Sequence, residues 1–283
     1  MSYRQECVCC LSRENVPYLK GLRRCSVCSH TWADVNLSDD ELRGLYSHNY
    51  FHGDEYADYE KELPALKKNF QRYVQKLTQH HTQGERLLEI GSAYGFFLDI
   101  AREKYQVCGI DISEYAVRYA IEKLGLDVRC GDYLGAPPPE KPYDIICMWD
   151  TIEHLREPDL YLQKAVREIR TGGTLALSTG DIGSFLARIR GSKWRLIHPP
   201  THLHFFCDKS IRTLLERVGF ANIQIYHPIF WRNMDSTICR IFKYPAGRWT
   251  DKIYETLSAV KIINFAFPIN TWDLMTVYAT RKS

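Results

Sequence analysis

The chain has 283 residues, 45% of them hydrophobic, and a formal charge of +3. That length can bury a full core and suits one large domain, alone or with a small module; so slight an excess of cations is no argument for nucleic acid, and no apolar stretch reaches the length of a membrane span. Ten cysteines without an apolar leader point to a reducing, cytoplasmic setting in which thiols bind metal sooner than they pair.

Residues 1–35 come first. Cys7-x-x-Cys10 and Cys25-x-x-Cys28 stand fourteen residues apart, two knuckles that can present four thiolates to one tetrahedral zinc ion. Four thiolates leave no open position, so the expected role is structural. Cys9 is a substitute ligand and His30 a weaker one. A segment this short builds no core of its own, and metal would supply its folding energy. Residues 36–85 read as a helical connector. Ser38-Asp39-Asp40-Glu41 is a capping-box start, with Leu42, Leu45 and Tyr46 as its apolar stripe. A longer helix is predicted from about Tyr59 to Thr78, with Leu66, Phe70, Tyr73, Val74 and Leu77 at helical spacing and Pro64 at its start or at a kink.

From Arg86 the pattern changes to short apolar strands alternating with helices. Leu87, Leu88 and Ile90 form a buried strand that stops at Gly91; Gly91 and Gly95 bracket a tight turn; Phe96 to Ala101 follow at helical spacing; Val107 to Ile110 is a second strand that ends on Asp111. This is a βαβ unit, the usual berth of a nucleoside at the carboxyl ends of parallel strands. Asp111 lies twenty residues after Gly91, where a carboxylate can accept from two ribose hydroxyls. The dinucleotide spacing G-x-G-x-x-G is poorly met, because its positions hold Gly91, Ala93 and Phe96. Asp127 to Cys130, Pro142 to Asp150 and Thr171 to Thr179 read as three further strands, with a helix at Leu162 to Ile169 and a stiff Pro137-Pro138-Pro139 loop.

Residues 182–208 are expected to form a lid. Phe185, Leu186 and Ile189 suggest a short helix, Arg188, Arg190, Lys193 and Arg195 a basic cluster, and Pro199-Pro200 an extended break. His198, His202 and His204 crowd that loop with no evident acidic partner. The cluster reads either as a binding surface for an anionic acceptor or as a solvated face. Asp208 to Val218 is a helix closed by Gly219, and Ala221 to Tyr226 a sixth strand. In the insertion 228–268, Trp231, Ile238, Ile241 and Phe242, then Ile253, Leu257, Val260 and Ile263, suggest two amphipathic helices. They would wall an acceptor pocket or provide a homodimer or peripheral membrane contact. Asp273 to Thr280 is the last strand.

Glu89-x-Gly91-x-x-x-Gly95 resembles motif I of the class I S-adenosylmethionine methyltransferases. Gly131-Asp132-Tyr133 after the third strand, Tyr143-Asp144 running into Glu153-His154, and Thr171-Gly172-Gly173 are similar to that family's later motifs. His202-Leu203-His204-x-Phe206 resembles a stretch of its ubiquinone-methyltransferase-like group. The cysteine knuckles, with Tyr46, Tyr50 and Phe51 after them, resemble the N-terminal zinc ribbon of bacterial sugar C-methyltransferases, whose further large C-terminal domain is not expected within these 283 residues. The resemblance implies an α/β fold: a Rossmann-like seven-stranded sheet with helices on both faces, its last strand antiparallel between the fifth and sixth, preceded by a small zinc ribbon. It divides the chain into a ribbon at 1–35, a connector at 36–85 that covers the site, and a methyltransferase domain at 86–283.

The same resemblance implies S-adenosylmethionine as cofactor, held by Glu89, Gly91, Ser92, Ala93, Gly95, Asp111, Ile112, Asp132, Tyr133, Trp149 and Asp150, beside structural zinc on Cys7, Cys10, Cys25 and Cys28. In such a reaction the protein mainly aligns donor and acceptor. His154, just past the fourth strand, is the expected base, with His202 and His204 in reserve. The expected acceptor is a small molecule: a sugar, nucleotide sugar or glycolipid. A zinc-ribbon RNA methyltransferase and a non-catalytic S-adenosylmethionine-binding scaffold are the competing readings. Nucleic acid is disfavoured because Asp34, Asp39, Asp40 and Glu41 follow the ribbon's cations closely.

Overall fold

The computed structural model describes residues 6–19, 21–35, 41, 62–79, 85–234, 237 and 265–282. Tyr46, Tyr50, Phe51, most of the connector and the inner part of the 228–268 insertion lie outside them.

Seven strands form the main sheet: β4 (Arg86–Ile90), β5 (Gln106–Asp111), β6 (Val128–Cys130), β7 (Tyr143–Trp149), β8 (Ile169–Gly180), β10 (Phe220–Tyr226) and β13 (Leu274–Arg281). Their order is β10-β13-β8-β7-β4-β5-β6. The strands from β6 to β8 are mutually parallel, while β13 runs antiparallel to both β8 and β10. This is the expected topology, including the inserted last strand. Order reverses at β4, with β5 on one side and β7 on the other, which opens a crevice at the carboxyl ends of those strands.

Alternation along each strand splits the core into two layers. Leu87, Ile145, Cys147 and Ala176 pack on one face with Phe97, Leu98, Ala116 and Ala120, from α2 (Phe96–Ala101) and α3 (Glu114–Leu124). The same layer takes Phe70, Tyr73 and Leu77 from α1 (Leu63–Leu77), where Pro64 occupies the first turn and causes no kink. Leu88, Ile146, Leu175 and Leu177 face the other way, against Leu162, Ile211 and Leu214 from α4 (Pro158–Glu168) and α6 (Asp208–Val218).

The cysteine module does not stand apart. Its strands β1 (Asn15–Pro17), β2 (Leu22–Cys25) and β3 (Thr31–Ala33) are joined by β9 (His204–Phe205) into one sheet, with Thr31 opposite Phe205 and Trp32 opposite His204. Cys7, Cys9, Cys25, Cys28 and Trp32 belong to the core layer of α4 and α6. Arg217 on α6 donates to the Val8 and Cys9 carbonyls at 2.6 and 2.9 Å. The module borrows the core it is too short to build.

The segment expected to be a lid divides in two. Its first part is the short helix α5 (Phe185–Arg190). Its second part is a wall: Trp194, Leu203, Phe205, Phe206 and Cys207 are buried, and the Glu153 carbonyl accepts from the Leu203 and His204 amides at 2.9 and 3.0 Å. Trp231 lies in β11 (Phe230–Asn233), paired antiparallel with β12 (Ala266–Ile269), so the insertion leaves and returns through a hairpin stem where a helix was expected. No described helix is long and apolar enough to cross a membrane.

Candidate functional site

The crevice beyond β4, β5 and β7 holds a cavity of about 700 Å³. Its floor is the turn after β4. Gly91 has φ +75°, and a Cβ there would lie 2.5 Å from the Thr151 hydroxyl oxygen. Thr151 cannot swing away cheaply, because its hydroxyl donates to the Trp149 carbonyl at 3.0 Å. Gly95 has φ +78°, and its Cβ would meet Leu126 at 2.5 Å. The expectation that these glycines clear a path for a ligand is therefore only part of the reason. Gly91 lets the turn pack on the loop after β7, and Gly95 lets α2 start close against α3.

Asp111 points into this turn. Its carboxylate accepts from Ala93 N and Ser113 N, each at 2.8 Å, so one side chain fixes the glycine turn and the start of α3 together. Burial raises its pKa, opposed by those amide hydrogen bonds. Glu89 lines the same cavity, buried, with Oε2 lacking any hydrogen-bond partner. Burial, then the charge of Asp111, push its pKa well above the carboxylate range. An orphaned carboxylate oxygen in a cavity calls for a donor or a cation.

Ser92, Ala93 and Ile112 also line the cavity; Gly95 is not part of its lining. Asp132 accepts from Leu134 N at 2.9 Å and from the Tyr161 hydroxyl at 2.5 Å. The ring of Tyr133 borders the cavity, but its hydroxyl turns away to Glu168 at 2.8 Å. Trp149 stacks on Tyr73 from α1, centroids 4.1 Å apart and planes 19° from parallel, and its indole N–H has no partner. Asp150 sits at φ +47°, a costly backbone state outside glycine. Its amide donates to Ser178 Oγ at 2.9 Å, and that hydroxyl donates to Asp150 Oδ1 at 2.7 Å.

The three histidines part company here. His154 lines the cavity; its Nδ1–H donates to the Thr201 carbonyl at 2.9 Å, which leaves Nε2 as the basic nitrogen. Burial, then His198, hold its pKa down at about 4. His202 packs edge-on against His154 at 4.6 Å, outside the cavity lining. Its Nδ1 is tied to the Leu196 carbonyl at 2.9 Å, and burial takes its pKa well below the usual value. His204 is not at the cavity. Its Nε2–H donates to the Arg156 carbonyl at 3.2 Å and its Nδ1 accepts from His30 at 3.0 Å. Both ring nitrogens are thus spent on tying the cysteine module to the loop after β7. An acidic partner for the histidine loop does exist, since Glu153 brings a carboxylate oxygen within 4.8 Å of ligand nitrogens on His154 and His202.

Neutral, buried His154 and His202 predict a particular acid sensitivity. Their folded pKa values lie below the usual 6.5, so the unfolded chain binds more protons and stability falls as pH drops. We expect the melting temperature to decline steadily from pH 6.5 toward pH 4, and a His154→Gln, His202→Gln chain to lose much of that slope. An unchanged slope would assign it to other groups.

Sequence reasoning missed Ser178, Thr151, Asn69 and Phe230. Asn69 clamps α1 to β11, accepting from Trp231 N at 2.8 Å and donating to Trp231 O at 3.0 Å. Such side-chain bridges between distant segments leave no pattern in sequence.

At the N-terminus, the sulfurs of Cys7 and Cys28, and of Cys10 and Cys25, lie 3.5 Å apart, and all four are within 4.8 Å of one another. Sulfurs on a tetrahedral zinc at about 2.3 Å stand at comparable separations.

The model for the "Methyltransferase domain" family matches residues 59–225. An uncharacterised protein of Methanocaldococcus jannaschii is 26% identical over 178 residues, covering 62% of this chain and 84% of that one. A probable S-adenosylmethionine-dependent methyltransferase of Mycolicibacterium smegmatis is 28% identical over 169 residues, 57% of this chain and 63% of its own length. Among solved structures, magnesium protoporphyrin IX methyltransferase of Synechocystis, with bound S-adenosylhomocysteine, shares the fold at TM-score 0.55 and 15% identity, over 87% of this chain and 100% of that one. The chain therefore belongs to the methyltransferase domain family, as a methyltransferase dependent on S-adenosylmethionine.

Proposed function

We propose that the cavity holds S-adenosylmethionine across the β4 turn and that the enzyme methylates a sugar, nucleotide sugar or glycolipid. The observation that carries the placement is the pairing of Asp111, locked to two turn amides, with the orphaned oxygen of Glu89 in one cavity. Asp111 would accept from the ribose hydroxyls, Asp132 from the adenine amino group, and Glu89 would take the ammonium of the amino-acid end. When bound, this cofactor supplies a methyl group on a sulfonium. The chain's own residues do the rest. Tyr73, Trp149 and Phe230 wall the cavity with aromatic surface that keeps water out. His154 Nε2 is placed to accept the acceptor's proton, and its low pKa keeps it unprotonated at neutrality. Asp150, fixed by Ser178, orients the acceptor's hydroxyl or amine.

The small-molecule reading is favoured over RNA because the module's arginines among the described residues are already engaged. Arg13 pairs with Glu6 at 2.8 Å, Arg23 donates to Asn15 at 2.6 Å, and Arg24 lies over Tyr18 at 4.7 Å. A phosphate-tracking face needs such groups unspent. We also propose that the four sulfurs hold structural zinc.

The test is calorimetry with S-adenosylmethionine and S-adenosylhomocysteine, followed by a mass-spectrometric search for a one-methylene gain on nucleotide sugars and lipid-linked glycans. Methylation of RNA fragments, with the sugars untouched, would overturn the acceptor. Glu89→Gln makes a sharper test of placement. Because the folded pKa of Glu89 is raised, its ionisation costs stability as pH rises above 4.5. The amide removes that cost, so the ligand-free variant should melt higher at neutral pH while binding S-adenosylmethionine roughly tenfold more weakly. Unchanged affinity would remove Glu89 from the cofactor site.

A further inference from the structure

The three most exposed large apolar side chains among the described residues are Phe185 at 79%, Ile189 at 68% and Trp272 at 64%. Trp272 is far from the other two in sequence but shares their corner. Phe185 and Ile189 stand one turn apart on the outer side of α5, while Ala187 faces the core. Trp272 sits on the loop before β13, and the next residue, Asp273, ties that loop to both ends of the α5 segment. The Asp273 carbonyl accepts from Asp181 N at 2.9 Å, and its carboxylate accepts from Trp194 Nε1 at 2.8 Å and Arg195 at 3.1 Å. The Trp272 ring lies 6.4 Å from that of His227, which in turn pairs with Asp181.

The two carboxylates at this corner are engaged, Asp273 by Trp194 and Arg195 and Asp181 by His227, and the exposed charges of the α5 segment are cations. Arg188, Arg190 and Lys193 are exposed, and no ion pair engages them among the described residues. No acidic residue occurs from Ile182 to Cys207. A solvated helix face normally mixes signs, and scattered exposed apolar residues are ordinary. Large apolar tips with Arg188, Arg190 and Lys193 beside two of them, engaged by no ion pair among the described residues, are a different arrangement: tips that can enter an acyl layer, and charges that match anionic headgroups.

We propose that α5 and the loop before β13 dock the enzyme peripherally on an anionic lipid surface. The contact is on the rim of the sheet where β8 ends and β13 begins, Leu274 lying opposite Gly180. It stands whether or not the acceptor proves to be lipid-linked, and it leaves donor binding untouched.

The experiment is co-sedimentation of the full chain with vesicles of phosphatidylcholine alone and of phosphatidylcholine with phosphatidylglycerol. We expect partition to the mixed vesicles to be at least about tenfold stronger, and to weaken as salt rises. Phe185→Ser with Ile189→Ser should cut it about tenfold or more, as should Trp272→Ser to a lesser degree. Neutralising Arg188, Arg190 and Lys193 to glutamine should cost about fivefold per cation. Melting temperature and S-adenosylmethionine affinity, measured on every variant, should stay as in the parent and so separate this result from any failure of the cofactor reading. Equal binding to both vesicles, or none, overturns the proposal. So does salt-sensitive binding that ignores the apolar substitutions, which would reduce the contact to charge alone and remove Phe185, Ile189 and Trp272 from it.

Discussion

Asp111→Ala should weaken S-adenosylmethionine binding by at least about a hundredfold. Two effects add. The first is loss of a charged acceptor for two hydroxyls, each such hydrogen bond being worth about 1.5–3 kcal/mol. The second is internal, because Asp111 also receives Ala93 N and Ser113 N. Without it two amides lose their partners, and the β4 turn is no longer tied to the start of α3. Ala93 already sits at φ +46°, a conformation that survives only where its surroundings enforce it. The ligand-free variant should therefore also melt at lower temperature. Asp111→Asn separates the two effects. It keeps one acceptor oxygen for the turn, but turns an NH2 group toward a second donor, so it should retain most of the stability and little of the affinity. Calorimetry against S-adenosylhomocysteine and thermal melting of the free protein provide both readouts. Parental affinity in the alanine chain would place the ribose elsewhere and take the cofactor assignment with it.

The parts of this molecule that were legible in sequence are those where one local constraint dominates. Gly91, Gly95 and Asp111 announce the βαβ unit because a positive φ and a strand-end carboxylate leave few residue choices. The short apolar run from Leu87 to Ile90 marks a strand buried on both faces, as does Ile145 to Trp149. The paired cysteine knuckles converge as their spacing required. What could not be read is where distant segments meet. His204 looked catalytic because it shares a histidine-rich loop with His202. Its hydrogen-bond partner is His30, 174 positions away, and no local pattern reports that. The same holds for Ser178, which binds Asp150 from a neighbouring strand, and for Asn69, which clamps β11. The segment expected to be a lid shows the same limit. Pro199-Pro200 marked an extended break, but nothing local reports that β9 pairs with β3 and is held by the Glu153 carbonyl. Apolar periodicity likewise suggested a helix at Trp231, where pairing with Pro268 makes a strand.

That shared sheet gives the N-terminal module a consequence for the rest of the chain. Removing the zinc proposed for it should lower the melting temperature of the whole enzyme by on the order of 10 °C. Cys7, Cys9, Cys25, Cys28 and Trp32 sit in the same core layer as Leu162, Ile211 and Leu214. If zinc holds the four sulfurs together, its loss would expose that layer, free Arg217 from the Val8 and Cys9 carbonyls, and leave β9 an unpaired edge beside His154. Cys25→Ser should show this, with zinc content read by elemental analysis and S-adenosylmethionine affinity read alongside. Affinity should fall far less than stability, because β4, β5 and their turn lie outside the module. The variant also tests the buried fifth cysteine. If Cys25→Ser still carries one zinc per chain, then Cys9 has taken the vacant position, and Cys9→Ala combined with Cys25→Ser should lose it. A parent protein purified without zinc that melts no lower than the same protein reconstituted with it would show that packing alone holds the module, and the structural-metal assignment would be withdrawn.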